Sequence, residues 1–276
     1  HLAERRLYLA EPTRILAADL LPDGAIGPIE VLYADLPSGG QHPNRTLGVG
    51  PDGQLYVSVG STCNACAEPD EEHATLLVTD PGGGGRSIFA RGLRNTLGFD
   101  WHPDTGQMWG MDNGTDNRGD EQPPEELNLL LAGEHYGWPW VYGARQPDPM
   151  MDEPPGTTKE AFAAETAPPA LTYPAHNAPI DFVFYDGAAL PPEYRGDAFV
   201  AMRGSWNRDP PTGYKVVRVR FQDGWPVGFE DFLTGFLLPG GEQHFGRLAG
   251  LTIAADGALL VSDDTNGVIY RVARAR

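Results

Sequence analysis

A strand–turn–strand unit recurs along the chain, and this repeat limits the possible folds more than any other feature. Each copy has an apolar strand, a turn rich in glycine or proline, and a second strand that ends in polar residues. The copies lie at 47–61, 97–114, 180–205 and 248–274. Turn chemistry such as Pro-Asp-Gly is typical of β-hairpins. Uneven spacings of roughly fifty to eighty residues predict β-propeller blades with loop insertions, and argue against a β-sandwich.

The two ends of the chain and one long insertion depart from this repeat. Segments 6–11, 13–20 and 29–36 predict three strands of a further copy with no first strand before them. Segment 267–276 supplies only a third strand to the last copy, whereas a propeller blade has four. The insertion at 115–172 predicts a short helix over 123–131 and exposed loops. We expect one all-β domain over 1–276, with a truncated start.

Composition narrows the possible partners. The formal net charge of −18 argues against nucleic acid and anionic membranes, because both require basic patches. No apolar run reaches the eighteen residues of a membrane span. The chain is expected to be soluble and to favour a cation.

Cys63 and Cys66 are the two cysteines of the chain. They could form a disulfide in an oxidising compartment or stay reduced inside a cell. A thioredoxin-type redox pair would need a βαβ unit, which the surrounding sequence does not predict.

Polar residues precede each full copy of the repeat. They are His42, Asn44 and Arg45 before the first full copy, Arg94 and Asn95 before the next, His176 and Asn177 before the third, and Arg247 before the last. Because the loops of radially equivalent blades share a face, these side chains are expected to converge on one mouth. For any single loop, a solvated polar turn is the alternative.

Strand ends add further arginines, Arg203 and Arg208, to this set. Several arginines in one pocket of an acidic protein favour an anionic ligand. One ion pair about 4 Å apart is worth roughly 4 kcal/mol at an effective dielectric constant of about 20, before desolvation. The alternative is that each arginine stacks on an aromatic ring or bridges two blades.

The segment 112–121 is rich in acidic residues and glycine, but its spacing does not fit an EF-hand loop. A hard cation held by backbone carbonyls at this turn, together with a carboxylate such as Glu126, stays open. A plain acidic turn is the alternative.

Several longer stretches resemble the soluble quinoproteins that oxidise sugars with pyrroloquinoline quinone (PQQ), the glucose and sorbosone dehydrogenase family. They are GGQHPNRTL, VGSTCNAC, GLRNTLGFDWHP, ELNLLLAGEHYGWPWVYG, AHNAPIDFVFY, YRGDAFVAMRGSWNR, GYKVVRVRF and GRLAGLTIAADGALLVSDDTNGVIYRV. GLRN and HYGWPW are the most specific of these motifs. The resemblance is closer to the sorbosone dehydrogenase branch than to soluble glucose dehydrogenase.

The resemblance implies a six-bladed propeller, here lacking the first blade and the first strand of the next, with PQQ beside Ca²⁺. It implies that His42 is the general base and that Arg94 stabilises charge on the quinone. Asn95, Asn113 and Arg247 would contact the cofactor, as would Arg203 or Arg208. The carbonyls of Gly114 and Thr115 would bind Ca²⁺. The chain departs from the glucose dehydrogenases at Gln41, at Ser61 and Thr62, and at Ala249.

The function expected from these observations is oxidation of a sugar or sugar-derived aldehyde or alcohol, with electrons passed to a quinone or soluble carrier in the bacterial periplasm or outside the cell. Two alternatives remain. One is a metal-dependent sugar lactonase, which needs carboxylates and amides on the inner strands rather than arginines. The other is a propeller that binds a ligand without catalysis.

Overall fold

The structure, a computed structural model, describes residues 1–275 and is almost entirely β-sheet. The strands of the first two sheets are β1 (Leu2–Ala3), β2 (Arg6–Ala10), β3 (Ile15–Asp19), β4 (Glu30–Tyr33), β5 (Leu47–Val49), β6 (Leu55–Val59), β7 (Thr75–Asp80) and β8 (Gly84–Arg91). Each sheet is a four-stranded antiparallel meander, β1-β2-β3-β4 and β5-β6-β7-β8.

The second half of the chain forms three further sheets. Its elements are β9 (Thr96–Trp101), β10 (Met108–Asp112), β11 (Glu125–Leu129), β12 (Val141–Tyr142), β13 (Gln146–Pro147), α1 (Lys159–Glu165), β14 (Leu171–Tyr173), β15 (Pro179–Phe184), a short 3₁₀ helix (Pro192–Tyr194), β16 (Ala198–Met202), β17 (Lys215–Gln222), β18 (Trp225–Leu233), β19 (Leu248–Ile253), β20 (Leu259–Asp263) and β21 (Val268–Val272). The sheet orders are β14-β11-β10-β9, β15-β16-β17-β18 and β19-β20-β21, and β12 pairs with β13.

The chain divides into two compact units. Unit 1 contains residues 1–96, 131–141 and 147–167, and unit 2 contains residues 97–130, 142–146 and the described residues from 168 onward. Unit 1 holds the first two sheets. Unit 2 holds the sheets that begin with β9, β15 and β19. The five sheets are a five-blade arrangement of β-propeller type, and both a sixth blade and a single domain stay predictions.

Each unit has its own apolar core, formed by side chains at alternating strand positions. In unit 1, Ile15, Leu55 and Leu77 are fully buried in one cluster. In unit 2, one cluster surrounds Trp109 and another surrounds Phe199. Burial of each large apolar side chain contributes about 1.5–3 kcal/mol, so these clusters fix the register of the strands on which the loops depend.

The turn between β5 and β6 shows how the local sequence forms the predicted hairpins. Gly53 has a φ of 78°, a left-handed conformation that glycine adopts without strain. The carboxylate of Asp52 accepts hydrogen bonds from the Gln54 backbone N–H and the Tyr56 hydroxyl. Turn chemistry therefore sets the hairpin that leads into β6.

Two sequence expectations about individual elements are wrong. The segment 123–131 is not a helix but contains strand β11, which pairs with both β10 and β14. Leu127 and Asn128 are both fully buried, and a strand covered on both faces has the same continuous apolar pattern as a buried helix. At the N-terminus, β1 supplies a fourth strand, but it is two residues long and leaves no periodic signal.

Other expectations are confirmed. The last sheet has three strands, and β21 is its third. The helix of the insertion, α1, was not expected: it lies at 159–165 instead of 123–131, and it begins after Thr158, whose hydroxyl accepts the Ala161 backbone N–H as an N-cap. Residues 1–275 contain no helix long and apolar enough to cross a membrane.

The strand assignment of 125–129 leads to a mutational prediction. Leu127→Ala should lower the free energy of unfolding by about 2–5 kcal/mol, because the side chain is fully buried between neighbouring strands. Leu131→Ala is the matched control, since Leu131 is 47% exposed, and it should change stability by less than about 0.5 kcal/mol. Urea unfolding of both variants measures the difference. Equal losses would contradict the assignment.

Candidate functional site

Backbone hydrogen bonds at the end of β6 bring two predicted site residues of unit 1 together. The Ser61 N–H donates to the Arg94 carbonyl at 2.8 Å, and the Ser61 carbonyl accepts the His42 N–H at 3.2 Å. His42 and Arg94 are 52 positions apart in the sequence. Ser61 therefore joins the two loops that carry them.

Gly60 lies directly against these loops. A methyl group in place of its hydrogen would be 2.5 Å from His42 Cβ and 2.9 Å from Asn95 Oδ1. A Cβ atom essentially never has contacts this short, so a side chain at position 60 would force the His42 loop to shift. The structure thus places three of the predicted site residues, His42, Arg94 and Asn95, in one cluster of unit 1.

The imidazole of His42 is neutral at pH 7, because its pKa lies well below that pH. Its Nδ1 lies 2.9 Å from the Ser61 hydroxyl. Burial lowers the pKa of His42 from 6.5 to about 4, and the positive charge of Arg94 adds to this effect. Nε2 has no hydrogen-bond partner within residues 1–275. At neutral pH the ring can accept a proton from a bound molecule.

The guanidinium of Arg94 is buried and is oriented by a residue that the sequence analysis missed. Its Nε donates to the Asn64 backbone carbonyl at 3.0 Å, and its Nη2 donates to Asn64 Oδ1 at 2.9 Å. Asn64 also accepts the indole N–H of Trp138, at 3.3 Å. Asn64 lies in the four-residue loop closed by a Cys63–Cys66 disulfide. Of the two states considered for these cysteines, the structure therefore has the disulfide and not the reduced thiols.

Two neighbours of His42 have different environments. Asn44 is exposed. Arg45 is half-buried and donates to the carbonyls of His42, Asn44 and Pro37, while its Nε is buried without a partner. Burial lowers the pKa of Arg45. Arg45 therefore holds the backbone of this loop by three hydrogen bonds and adds positive charge to it.

In unit 2, the three predicted arginines have different partners. Arg203 forms an ion pair with Asp264 and Arg208 one with Glu121, both at 2.7 Å. The Arg247 guanidinium has no ion pair with a carboxylate within residues 1–275, although the Arg247 backbone N–H donates to the Asp263 carboxylate at 3.1 Å. The guanidinium donates one hydrogen bond, from Nη2 to the Gly204 carbonyl, at 3.1 Å.

Arg247 has the chemistry expected of an anion ligand. Its Nε is buried without a hydrogen-bond partner, and its guanidinium lies 5.8 Å from the centre of the Tyr214 ring. A guanidinium has five N–H donors and matches the geometry of a carboxylate. Arg208 Nε is also buried without a partner, but Arg203 and Arg208 each have an acidic partner, so the guanidinium of Arg247 is the one of the three that fits a carboxylate-bearing cofactor best.

The turn after β10 presents a set of oxygen atoms. A methyl group on Gly114 would lie 3.1 Å from the carbonyl oxygens of both Pro123 and Pro124, so these two carbonyls lie close to the Gly114 backbone. Thr115 is buried beside it. Carbonyl oxygens are ligands that Ca²⁺ accepts, and the chemistry of this donor set fits a hard cation. Asn113 is oriented by a hydrogen bond from its amide to the Pro179 carbonyl, at 2.8 Å.

Glu125, rather than Glu126, is hydrogen-bonded to this turn. Its carboxylate accepts the N–H groups of Gly114 and Ala178, at 2.9 and 3.0 Å. Successive strand residues point to opposite faces, and Glu126 instead accepts the Gly143 N–H at 2.5 Å. Alternation along β11 is the signal that could have identified Glu125, and it was hidden by the helix prediction.

Glu126 is nevertheless an unusual group. Burial raises its pKa from 4.5 to about 8, and the nearby negative charge of Asp112, its pairing partner on β10, adds to the rise. A nearby cation would reverse this effect by favouring the carboxylate. Glu126 stays a predicted ligand.

His176 and Asn177 hold loops of unit 2. The Nε2 of His176 lies 2.8 Å from the Gly119 carbonyl, and the Asn177 amide donates to the Pro174 carbonyl at 2.8 Å. Both side chains are buried. Their hydrogen bonds give both side chains a structural role, which differs from the solvated polar turn considered as the alternative for a single loop.

Two other features of unit 1 do not include the predicted residues. One is a cavity of about 140 Å³ whose lining includes His73, Arg91, His135 and Trp140, but neither His42 nor Arg94. The other is the one cluster of potential metal-ligating side chains found within residues 1–275, which consists of Cys63, Cys66 and Glu68. Because both cysteines are in the disulfide, this cluster does not provide thiolate ligands.

Two known proteins are similar to this chain in sequence. An uncharacterized protein of Borreliella burgdorferi is 34% identical over 248 residues, which cover 87% of this chain and 63% of that protein. The chain therefore spans less than two thirds of the length of this relative. A pyrroloquinoline quinone-dependent pyranose dehydrogenase of Coprinopsis cinerea is 31% identical over 172 residues, or 50% of this chain and 22% of that enzyme.

Solved structures share the same fold. The holo form of the PQQ domain of the Coprinopsis cinerea pyranose dehydrogenase superposes with a TM-score of 0.81 at 23% identity, covering 98% of this chain and 79% of that domain. A Trichoderma reesei enzyme of carbohydrate-active family AA12 gives a TM-score of 0.80 at 23% identity, covering 96% and 77% of the two chains. The TrAA12-like family matches residues 4–275, nearly the whole sequence. The chain belongs to the TrAA12-like family.

Proposed function

We propose that this protein oxidises a sugar, or a sugar-derived aldehyde or alcohol, with PQQ as its cofactor and His42 as the general base. The observation that carries the proposal is the neutral imidazole of His42 with an unpartnered Nε2, joined through Ser61 to Arg94. The names of the relatives support the cofactor and the substrate class.

In the proposed reaction, the residues of this chain move a proton and stabilise charge. His42 Nε2 takes the proton from the substrate hydroxyl, which makes loss of hydride from the same carbon easier. General-base help of this kind contributes roughly 10²- to 10⁴-fold to the rate. The fixed guanidinium of Arg94 stabilises negative charge as it develops, without the reorganisation that water would need. Bound PQQ would supply the hydride acceptor.

The cofactor would be held by cations and amides of the chain. Arg247, with donors not yet used, binds a carboxylate, and Asn95 and Asn113 supply polar contacts. Arg203 and Arg208 are weaker candidates because each already has an acidic partner. The carbonyls of Gly114 and Thr115 would hold Ca²⁺. Glu126 stays a predicted further ligand, but its side chain points to the opposite face of β11 from Glu125, which is hydrogen-bonded to this turn. Ca²⁺ acts as a Lewis acid when bound.

We also propose a family branch, an electron acceptor and a cellular compartment for this protein. The sequence motifs favour the sorbosone dehydrogenase branch. The electrons pass to a quinone or a soluble carrier. The Cys63–Cys66 disulfide supports an oxidising compartment, the periplasm or the cell exterior.

Loss of the base tests the proposed function. His42→Gln should lower kcat for sugar oxidation by about 10²- to 10⁴-fold, because the variant has no group to take the hydroxyl proton. PQQ affinity should change little. The measurement is dye reduction by PQQ- and Ca²⁺-loaded protein over a panel of aldoses. Gln41→Ala, an exposed neighbour in the same loop, is the control and should keep its activity. Absence of oxidation by the unmodified protein, or full activity of His42→Gln, would refute the proposal.

The electrostatics of the base lead to a separate prediction. The imidazole of His42 should titrate near pH 4, so the active, neutral form persists down to that pH and is lost as the pH falls further. Arg94→Gln should raise this pKa, since removal of a positive charge makes protonation easier. Arg91→Gln is the control, because Arg91 lowers the pKa of His135 instead. Histidine NMR titration checks both. A His42 midpoint near 6.5, or no change in Arg94→Gln, would contradict the account.

A further inference from the structure

A short chain of hydrogen bonds runs from His42 into the disulfide loop. His42 Nδ1 lies 2.9 Å from Ser61 Oγ, and Ser61 Oγ donates to the Cys63 backbone carbonyl at 2.7 Å. Ser61 is fully buried, so water does not compete for these contacts. The direction of each bond decides where the proton of the imidazole is.

The proton count leaves one arrangement. A serine hydroxyl has one hydrogen, and a carbonyl oxygen can only accept. The Ser61 hydrogen must therefore point to the Cys63 carbonyl, because two acceptor oxygens 2.7 Å apart would otherwise face each other without a proton. Ser61 Oγ is then left as an acceptor toward His42. The proton of the neutral ring must be on Nδ1, and Nε2 carries the lone pair.

We infer that Ser61 is a positioning residue that sets the tautomer of His42. Its hydroxyl donates its hydrogen to the Cys63 carbonyl, and its oxygen is therefore available only as an acceptor for the imidazole N–H. The role of this tautomer in catalysis rests on the proposed function. The assignment of the proton to Nδ1 rests only on the hydrogen bonds of Ser61. A free neutral imidazole prefers its proton on Nε2, which would block that nitrogen as a base. Ser61 reverses the preference.

The surrounding contacts hold this relay in place. The Ser61 backbone is fixed at both ends, by its N–H to Arg94 and by its carbonyl from His42. The carbonyl of Cys63 lies in the loop that the disulfide closes. The next residue, Asn64, accepts two hydrogen bonds from the Arg94 guanidinium. One loop therefore fixes both the protonation pattern of His42 and the orientation of Arg94.

The test is a direct reading of the tautomer in the cofactor-free protein. Two-bond ¹H–¹⁵N correlation spectra at pH 7 should show His42 with its proton on Nδ1. In Ser61→Ala, the form with the proton on Nε2 should gain population, because the variant keeps the Ser61 backbone carbonyl near the ring but loses the hydroxyl oxygen. Ser61→Thr keeps a hydroxyl and should restore the Nδ1–H form, which a merely structural role for the serine side chain would not predict. If Ser61→Ala does not fold, the unmodified protein and Ser61→Thr still decide the question.

The outcomes separate this inference from the proposed function. A proton on Nε2 of His42 in the unmodified protein, or an Nδ1–H form unchanged by Ser61→Ala, overturns the inference whatever the activity. In the loaded protein, Ser61→Ala should lose kcat several-fold and Ser61→Thr should regain it. If the tautomer responds as expected but the unmodified protein oxidises no sugar, the inference stands and the proposed function fails.

Discussion

The hydrogen bonds of Ser61 at the end of β6 are the constraint on which the candidate site of unit 1 depends. Its N–H donates to the Arg94 carbonyl, its carbonyl accepts the His42 N–H, and its hydroxyl bonds to both the His42 imidazole and the Cys63 carbonyl. Gly60 before it leaves no room for a side chain, so the His42 loop can pack closely against β6. Displacement of this strand end would move the base, the guanidinium of Arg94 and the disulfide loop together.

Charge distribution separates structural arginines from candidate ligands. The chain has a net charge of −18, so acidic partners are abundant, and Arg203, Arg208 and Arg218 each have one. Against this background, the absence of an ion pair on the Arg247 guanidinium within residues 1–275 is informative, since the nearby Asp263 carboxylate accepts, of the Arg247 donors, only the backbone N–H. A half-buried cation with unfilled hydrogen-bonding capacity is costly unless a ligand completes its environment.

The hairpins could be predicted from sequence because their turns depend on local chemistry. The Pro-Asp-Gly turn before β6 is an example, since its conformation follows from residues within it. The closeness of His42 and Arg94 was also expected, because both precede strands of repeated units. These inferences needed only periodicity and turn residues.

Other parts of the site had no comparable sequence signal. Asn64 acts partly through its backbone carbonyl, which every residue type has, so nothing in its identity indicated the contact with Arg94. Ser61 attracted notice only as a departure from the glucose dehydrogenases, and its role depends on the direction of a single hydroxyl. Glu125 was missed because a strand buried on both faces has no alternation of apolar and polar residues, so β11 was taken for a helix and the alternating directions of its side chains were not considered.

The most direct measurement is a titration of the ¹⁵N-labelled chain with PQQ in calcium buffer, followed through the histidine resonances. The account predicts saturable binding that shifts the signals of His42, and an affinity about tenfold or more weaker in Arg247→Gln, because hydrogen bonds to charged groups are worth about 1.5–3 kcal/mol. Arg271→Gln, which removes an exposed ion pair with Asp256, should leave the affinity unchanged. No saturable binding, or binding that leaves the His42 signals in place, would contradict the account.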